Sequence, residues 1–320
     1  MLLRMSMKKI MVSSLSLFIL LLIYLIPSSK MEELTLKNDD VTYIQNNTLE
    51  TIYLLDKNDY IGRSSIVTCN CDVVSKARQL IEGLIIDGMQ SNIIPNGFRS
   101  ILPPNTKILN LSLDNDVLTI DFSKDILDIS KDYEEKMIEA LVYTLTQLDG
   151  INKIKILVES NELKTLPNSG KKLNEILDRS YGINKEYSLT TLNNAQSYTV
   201  YYVSSYNDNY YYVPVTKYIN NDNQDKIKLI INTLATSFSY ESNLMSFLNE
   251  STKLLNYELN DDSITLNFNE MILNDIASGS ILEEVVYTIC LSLEDSLGVK
   301  EVVFNTNNQK ISTILLKNLD

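Results

Sequence analysis

Lys107–Asp128 reads KILNLSLDNDVLTIDFSKDILD, and Lys253–Asn274 reads KLLNYELNDDSITLNFNEMILN. The two stretches align without a gap at an offset of 146, and nine of their 22 positions are identical. Their apolar residues alternate in phase, so both predict the same strand–turn–strand hairpin with one apolar face. A period of this length is far too long for a solenoid, so each copy must be a domain with its own core. The chain is therefore predicted to be a tandem duplication.

The repeat extends on both sides of this hairpin. Thr51–Thr68 matches Thr199–Thr216, and an amphipathic helix is predicted after each of them. Downstream, Leu141–Leu145 aligns with Val285–Ile289 in a second predicted helix, and a four-residue length change precedes the last strands. The predicted fold class is α+β, with two tandem small domains. Each has a mostly antiparallel sheet with two helices packed on one face.

The first 28 residues predict a membrane anchor. Three basic residues precede residues 10–27, a stretch of eighteen residues without a charge. As one transmembrane helix this stretch spans about 27 Å, close to the hydrocarbon thickness of a bilayer. The basic residues place the N-terminus in the cytoplasm and the bulk of the chain outside. A cleaved signal peptide is the alternative, because small serines follow the apolar stretch.

The predicted organisation follows from these assignments. It comprises an anchor (1–28), a polar tether (29–48), a first domain (49–165), a linker (166–196) and a second domain (197–320). A short helix is predicted within the linker, from Gly170 to Arg179. Each domain has a length that suits one compact fold.

The composition argues against several classes of function. Without the three basic residues of the anchor, 25 Lys and Arg face 41 Asp and Glu, which leaves a net charge of −16 on the exported part. Such a surface repels phosphate backbones, so no nucleic-acid partner is expected. The chain has no histidine and thus lacks the usual general base of serine and cysteine hydrolases. We predict that the protein is not an enzyme and binds no cofactor.

The three cysteines are interpreted as free thiols. Cys69 and Cys71 are two residues apart, a spacing that strains a disulfide. Cys290 lies in the apolar stripe of a predicted helix, which indicates a core position. A metal or redox site at the first two cysteines would lack the further ligands that it needs.

Acidic residues cluster around the predicted hairpin of the first copy. They are Asp114, Asp116, Asp121, Asp125 and Asp128. Carboxylates suit Ca²⁺, but the spacing does not match an EF-hand loop. The second copy has asparagine or methionine opposite the last three of them, and a metal essential to the fold would not be lost from one copy. We predict no metal site and interpret these residues as turn and cap residues, with Ca²⁺ binding as the alternative.

The first hairpin of the second copy is rich in tyrosine. Its members are Tyr198, Tyr201, Tyr202, Tyr206, Tyr210, Tyr211 and Tyr212. Strand alternation cannot bury all seven in a small domain, so some are predicted to be exposed. Exposed tyrosines favour protein interfaces and also stack on sugars. This set is the candidate interaction surface for another protein, with binding of a wall glycan or peptide as the alternative.

The first copy contains a series of motifs: IPNG (residues 94–97), LPPNTK (102–107), LTIDFS (118–123) and VYTLTQ (142–147), followed by INKI (151–154). Together they resemble the GerM domain family, the sporulation and germination module of spore-forming bacteria. The second copy is more diverged, with Asn267-Phe268-Asn269 in place of Asp-Phe-Ser. The first copy departs from the pattern at Glu159-Ser160, where a glycine turn is usual.

The resemblance implies a fold similar to the small ring-building domains of secretion-like complexes. It also implies a non-enzymatic role in assembling the envelope of the developing spore and in germination. With the predicted anchor, we expect a scaffold in the cell membrane whose bulk is extracytoplasmic. The expected partners are other membrane-anchored envelope proteins or a second copy of the chain.

Overall fold

The structure is a computed structural model that describes residues 47–191, 195–220, 224–236 and 243–316. These residues belong to one compact unit of the chain, residues 46–320. The predicted anchor lies outside them, as does nearly all of the predicted tether. Within the described ranges, no helix has the length and apolar composition needed to cross a membrane.

The same order of elements occurs twice. The first copy contains β1 (Asn47–Asp56), β2 (Ile61–Cys69), α1 (Val73–Leu84), β3 (Phe98–Arg99), β4 (Ile108–Asp114), β5 (Val117–Phe122), α2 (Glu134–Leu145), β6 (Lys153–Val158) and β7 (Asn161–Glu162). The linker contributes β8 (Glu186–Ser188). The second copy contains β9 (Ala195–Tyr206), β10 (Asn209–Asn220), α3 (Lys226–Thr236), β11 (Leu254–Leu259), β12 (Ser263–Phe268), α4 (Glu283–Leu297), β13 (Glu301–Thr306) and β14 (Gln309–Leu315). Apart from the two-residue β3, each element of the first copy has a counterpart in the second.

Each copy has its own four-stranded sheet. The strand orders are β4-β5-β6-β7 and β11-β12-β13-β14. In both sheets the two outer pairs are antiparallel and the central pair is parallel. The parallel pair is possible because a helix, α2 or α4, connects its two strands. The identical strand orders confirm the predicted duplication.

The structure corrects the predicted alignment of the second helix. The backbone N of Tyr53 donates to Thr144 Oγ1, and that of Tyr201 donates to Ser292 Oγ, each at 2.9 Å. Donors and acceptors are both 148 positions apart, whereas the sequence alignment paired Thr144 with Thr288. That alignment was wrong by one helical turn. The error has a physical reason, because a shift of four residues nearly restores the same helix face at 3.6 residues per turn.

The first hairpins of the two copies join in a shared six-stranded sheet. Its order is β3-β1-β2-β10, with β9 and β8 both paired with β10. The prediction of one sheet per copy is therefore corrected, because each copy divides its strands between two sheets. The helices contact both: α1 packs on β2 and β4, and α2 packs on β1 and β6. Apolar strands of both sheets need this cover, so the helices lie between them.

The predicted linker helix from Gly170 to Arg179 is not formed. Leu177 instead exchanges two backbone hydrogen bonds with Ile154 of β6, at 2.8 and 2.9 Å. A short 3₁₀ helix follows at Arg179–Tyr181. Leu177 is buried in the core of the first copy. The extended conformation is favoured because it pairs backbone groups at the edge of β6 while it buries this leucine.

The prediction of free thiols at Cys69 and Cys71 is wrong. The two form a disulfide, with their Cα atoms 5.3 Å apart. They lie where β2 ends and the chain bends toward α1. Side chains two residues apart point to the same side of a strand, and the bend brings them within disulfide distance. Cys290 is free and buried in α4, as predicted.

The two cores can be tested at equivalent positions. Phe122 and Phe268 end β5 and β12 and are fully buried. Replacing either by alanine should lower the free energy of unfolding by about 3–5 kcal/mol, because each leaves a large cavity. Leu109→Ala is the control, since this side chain on β4 is 52% exposed. It should change stability by less than about 0.5 kcal/mol. Urea unfolding followed by circular dichroism measures all three, and similar losses at Phe122 and Leu109 would contradict the assignment of the core.

Candidate interaction site

The structure buries most of the seven predicted tyrosines. Tyr198, Tyr201, Tyr202 and Tyr211 are between 1% and 8% exposed, Tyr206 and Tyr212 are half-buried, and Tyr210 is 53% exposed. The expectation of exposed tyrosines is therefore met by Tyr210 alone. The others are buried or half-buried because α3 and α4 cover β9, and β10 pairs with β2 of the first copy. The tyrosines thus help to form an interface within the chain, which we call the joint.

Two equivalent tyrosines meet at the centre of the joint. Tyr53 and Tyr201 are 148 positions apart, and their hydroxyl oxygens lie 3.0 Å from each other. Both side chains are buried. Strands β2 and β10, which are also counterparts, pair antiparallel at Arg63 and Tyr212. Contact between equivalent residues is a feature of two-fold symmetry, so the copies are related by an approximate two-fold axis at this pair. Burial raises the pKa of Tyr201 well above its usual value, so its hydroxyl stays protonated.

Tyr211 of the second copy completes a turn of the first. The Asp56 carboxylate is buried and accepts hydrogen bonds from the backbone N of Asn58 at 2.7 Å and of Tyr60 at 2.9 Å. The Tyr211 hydroxyl donates to the same carboxylate at 2.8 Å. Burial raises the pKa of Tyr211, and the Asp56 carboxylate raises it further, so this hydroxyl remains a donor. A buried carboxylate needs such donors, so the second copy satisfies a buried polar group of the first.

Arg179 of the linker compensates a buried charge of the second copy. Its Nη1 lies 2.7 Å from Oδ1 of Asp295, whose side chain is only 2% exposed. The guanidinium also lies 4.9 Å from the centre of the Tyr143 ring. In addition, Arg179 Nε donates to Thr146 Oγ1 at 3.1 Å. The linker side chain therefore connects the end of α2 in the first copy with α4 in the second.

Asn184 of the linker fills the gap where β2 and β10 diverge. Its Nδ2 donates to the carbonyl oxygens of Ile61 and Pro214, both at 2.8 Å. Its Oδ1 accepts from the backbone N of Ile61 at 2.9 Å. One side chain thus takes the place of strand-to-strand hydrogen bonds between the copies. Sequence reasoning missed both Asn184 and Arg179, because no motif surrounds them and the linker was treated as a connector.

Gly97 of the IPNG motif lies under a tyrosine of the second copy. Its φ of +92° is in the region that favours glycine, and an added Cβ would lie 2.6 Å from Cγ of Tyr206. Lys57 Nζ lies 5.5 Å from the centre of the Tyr206 ring. Tyr206 is therefore held between Lys57 and the backbone of Gly97. Both the conformation and the contact require glycine at position 97.

The acidic residues near the hairpin have structural partners. Asp121 accepts hydrogen bonds from the backbone N of Ser160 at 2.9 Å and from its hydroxyl at 3.1 Å. Asn267 accepts in the same way from the backbone N of Asn308 at 2.9 Å. Asp125 accepts from the Ser123 hydroxyl at 2.6 Å, and this hydrogen bond lowers the pKa of Asp125. Asp121 therefore bonds to the turn between β6 and β7, whereas Asp125 binds the Ser123 side chain, and the 3₁₀ helix at Lys124–Leu127 has no side-chain cap. In the part of the chain that the structure describes, no cluster of three or more His, Cys, Asp or Glu is placed to hold a metal ion.

A cavity of ≈ 660 Å³ opens next to the joint in the first copy. Residues 94–104, which include the IPNG motif, form much of its mostly apolar wall. Arg99 also lines it, pairs with Asp59 and lies 5.5 Å from the centre of the Tyr133 ring. Asp128, the third of the predicted cap residues, lies in the cavity wall. The second copy has Met245 in place of Arg99, so this charged lining residue is specific to the first copy.

The fold and the joint together define a class of protein: two α+β domains of the same topology, fused through a shared sheet. A family model described as "Germane: Sporulation and spore germination" matches residues 51–164 and 199–312. The chain belongs to this family. The two matched ranges are offset by 148, in agreement with the structure. The resemblance drawn from the motifs is confirmed, and the family assigns the chain a role in sporulation and spore germination.

The chain is also similar to individual proteins. The chain is similar to the spore germination protein GerM of Bacillus subtilis (strain 168), with 35% identity over 269 residues, 82% of this chain and 73% of that protein. It is also similar to the solved tandem GerMN domains of the sporulation protein GerM from Bacillus subtilis. That match has a TM-score of 0.76 and 34% identity, and it covers 82% of this chain and 92% of the other. The solved first GerMN domain of GerM from Bacillus subtilis matches 42% of this chain and 98% of its own length, with 32% identity and a TM-score of 0.39.

Two glycine-to-alanine variants distinguish the effect of the contact between Gly97 and Tyr206 on stability from the effect of backbone strain. Gly97→Ala should lower the free energy of unfolding by about 2–4 kcal/mol, because it adds both a steric clash and an unfavourable φ. Gly150→Ala is the matched control, since Gly150 has a φ of +87° but nothing within 4 Å of an added Cβ. It should cost about 1 kcal/mol. Chemical unfolding of both variants measures the difference, and equal losses would show that Tyr206 does not constrain position 97.

The buried ion pair at the joint should matter more than an exposed one. Arg179→Met leaves the Asp295 carboxylate buried and uncompensated, which should cost about 3 kcal/mol. Lys300→Met removes the partner of Asp262 in a pair whose side chains are 76% and 67% exposed. This control should cost less than about 1 kcal/mol. Thermal and urea unfolding test the two variants, and a loss at Lys300 that matches the loss at Arg179 would contradict the role given to the joint.

Proposed function

We propose that this protein is a non-enzymatic scaffold of the spore envelope that supports sporulation and germination by binding other envelope proteins. It is anchored in the cell membrane by residues 10–27, with its N-terminus in the cytoplasm and its domains outside. The proposal rests on the joint, which connects the two copies into one structural unit. A scaffold needs this property, because its contact surfaces must keep a fixed relative position.

The chemistry of the joint supports a structural role. Polar side chains bind one another across it, between the copies in the pairs Tyr53–Tyr201 and Tyr211–Asp56 and between the linker and the second copy in the pair Arg179–Asp295. Domains within one chain usually move relative to each other unless their interface is extensive. A shared sheet and three buried polar contacts oppose such motion. The two four-stranded sheets are thereby held apart at a constant orientation, which suits simultaneous contact with neighbouring proteins.

Tyr210 is the member of the predicted tyrosine surface that is available to a partner. Its ring is 53% exposed and packs edge-on against Phe247, with the ring centres 5.6 Å apart. Met245, two residues from Phe247, is 39% exposed. Aromatic residues and methionine are enriched in protein interfaces, where a few of them contribute most of the binding energy. We place the partner contact at this patch of Tyr210, Met245 and Phe247.

The proposal is tested in a spore-forming host in which this chain replaces the resident protein. Tyr210→Ser should abolish the crosslinked complex with a membrane protein and reduce the yield of heat-resistant spores. Its melting temperature should stay unchanged, because the side chain is exposed. Deletion of residues 1–28 should release the protein from the membrane fraction. A complex that survives Tyr210→Ser would place the partner elsewhere.

A second variant tests whether the function depends on carboxylate groups that bind a metal or take part in catalysis. Asp121, Asp125 and Asp128 are replaced together by asparagine, which keeps their size and hydrogen-bonding capacity. The second copy already uses Asn267 at the position of Asp121, so the variant should fold. Spore formation should be retained at the level of the unmodified chain. A folded triple variant without function would contradict the scaffold and indicate a metal site or catalysis.

A further inference from the structure

A second exposed tyrosine lies on the linker, away from the predicted set. Tyr187 of β8 is 61% exposed and stacks on Tyr218 of β10. The ring centres are 4.8 Å apart and the planes differ by 16°. The two residues are direct neighbours in the parallel pairing of β8 with β10. One face of the Tyr187 ring is therefore supported by another ring, and its exposure leaves surface free for a ligand.

Fixed polar groups surround this aromatic pair. The Tyr218 hydroxyl donates to the carbonyl oxygen of Tyr181 at 3.4 Å. Lys185 Nζ lies 3.6 Å from the centre of the Tyr181 ring and forms ion pairs with Glu135 at 3.3 Å and Glu139 at 3.1 Å. The pKa of Tyr187 is raised, first by burial of part of the ring and then by the nearby glutamates. The tyrosines are thus held by a network rather than by loose surface contacts.

The charge around the pair differs from that of the whole chain. Two lysines and two glutamates form ion pairs near the two rings: Lys171 with Glu135, and Lys185 with both Glu135 and Glu139. In the chain as a whole, 41 acidic residues exceed 28 basic ones. This part of an acidic surface is therefore close to neutral. A weakly anionic ligand therefore meets less repulsion here than elsewhere on the protein.

We infer that Tyr187 and Tyr218 form a carbohydrate-binding platform for a pyranose ring of a wall glycan. The C–H bonds on one face of a sugar carry partial positive charge, and the face of an aromatic ring carries partial negative charge. The hydroxyl groups at the sugar's edge can bind the partly exposed ion pair of Lys171 and Glu135. The choice of a wall glycan rests on the proposed extracytoplasmic location, whereas binding of the saccharide itself does not.

The surroundings of Tyr187 favour a sugar over a protein partner. The charged groups near its ring include the ion pair of Lys171 and Glu135, whose side chains are both partly exposed. An aromatic anchor of a protein interface is instead typically enclosed by contacts that exclude water. Tyr210 resembles that second case, because it packs against Phe247 near an exposed methionine. Tyr187 and Tyr210 are thus assigned to different ligands.

The platform is tested by calorimetric titration of the detergent-purified full chain with an N-acetylglucosamine tetrasaccharide. Tyr187→Ala should weaken binding by about tenfold or more, because it removes the stacking surface. Tyr187→Phe keeps the ring and should bind like the unmodified chain. Tyr210→Ala is the matched control, an equally accessible tyrosine that should leave saccharide affinity unchanged. All three should keep their melting temperature.

The outcomes separate this inference from the proposed scaffold. Saccharide binding that depends on Tyr187 and not on Tyr210 supports the platform, whatever the result of the crosslinking of Tyr210→Ser. No binding by the unmodified chain at millimolar saccharide, or equal loss in the Tyr187→Ala and Tyr210→Ala variants, would overturn it. Loss of the crosslinked membrane protein in Tyr187→Ala, without saccharide binding, would also overturn it and assign this surface to a protein.

Discussion

The antiparallel pairing of β2 with β10 determines the rest of the structure. It brings two copies of one fold together about an approximate two-fold axis, and it therefore places equivalent polar groups in the same dry interior. Buried polar groups must be bonded, so the tyrosine hydroxyls at the axis bond to each other. Asp56 needs a donor from the other copy, and Asp295 needs a cation from the linker. The linker is thus part of the joint, since Asn184 also bridges the two strands.

Fusion of the copies explains why they differ at the joint. In a symmetric homodimer one residue must serve both halves of the interface, whereas a fused pair can use different residues at the two places. Tyr206 packs on Gly97 on one side of the axis. On the other side, Asn58 is the counterpart of Tyr206 and Asn243 is the counterpart of Gly97. These two asparagines form an amide hydrogen bond of 3.0 Å. A bulky side chain over glycine and a pair of small amides are alternative solutions to the same contact. The second copy is therefore free to carry asparagine at position 243 instead of the glycine of the IPNG motif.

Sequence reasoning succeeded where structure depends on local alternation, and it failed where structure depends on distant packing. The hairpins that contain Phe122 and Phe268 were predicted correctly, because alternating burial is visible in the residues themselves. The helix alignment failed because a four-residue shift preserves the apolar face. The linker helix failed because the partner of Leu177 is β6, which lies far away in the sequence. Most of the tyrosines are buried because the other copy and the helices cover their hairpin, and no local pattern encodes that cover.

The chemistry of the joint suits a body that holds its shape in changing surroundings. The chain has no histidine, the side chain that most often changes charge near neutral pH. At the joint, burial raises the pKa of Tyr143, Tyr201 and Tyr211, so their hydroxyls remain protonated in neutral and mildly alkaline solution. The Arg179 guanidinium keeps its charge, because its pKa is raised by the Asp295 carboxylate against the opposing effect of burial. The hydroxyl and guanidinium groups of the joint therefore keep their protons in neutral and mildly alkaline solution. Such a joint holds the surfaces of the two copies in a fixed relative position. A pH-dependent change of shape would instead need side chains that change charge near neutral pH, such as histidine.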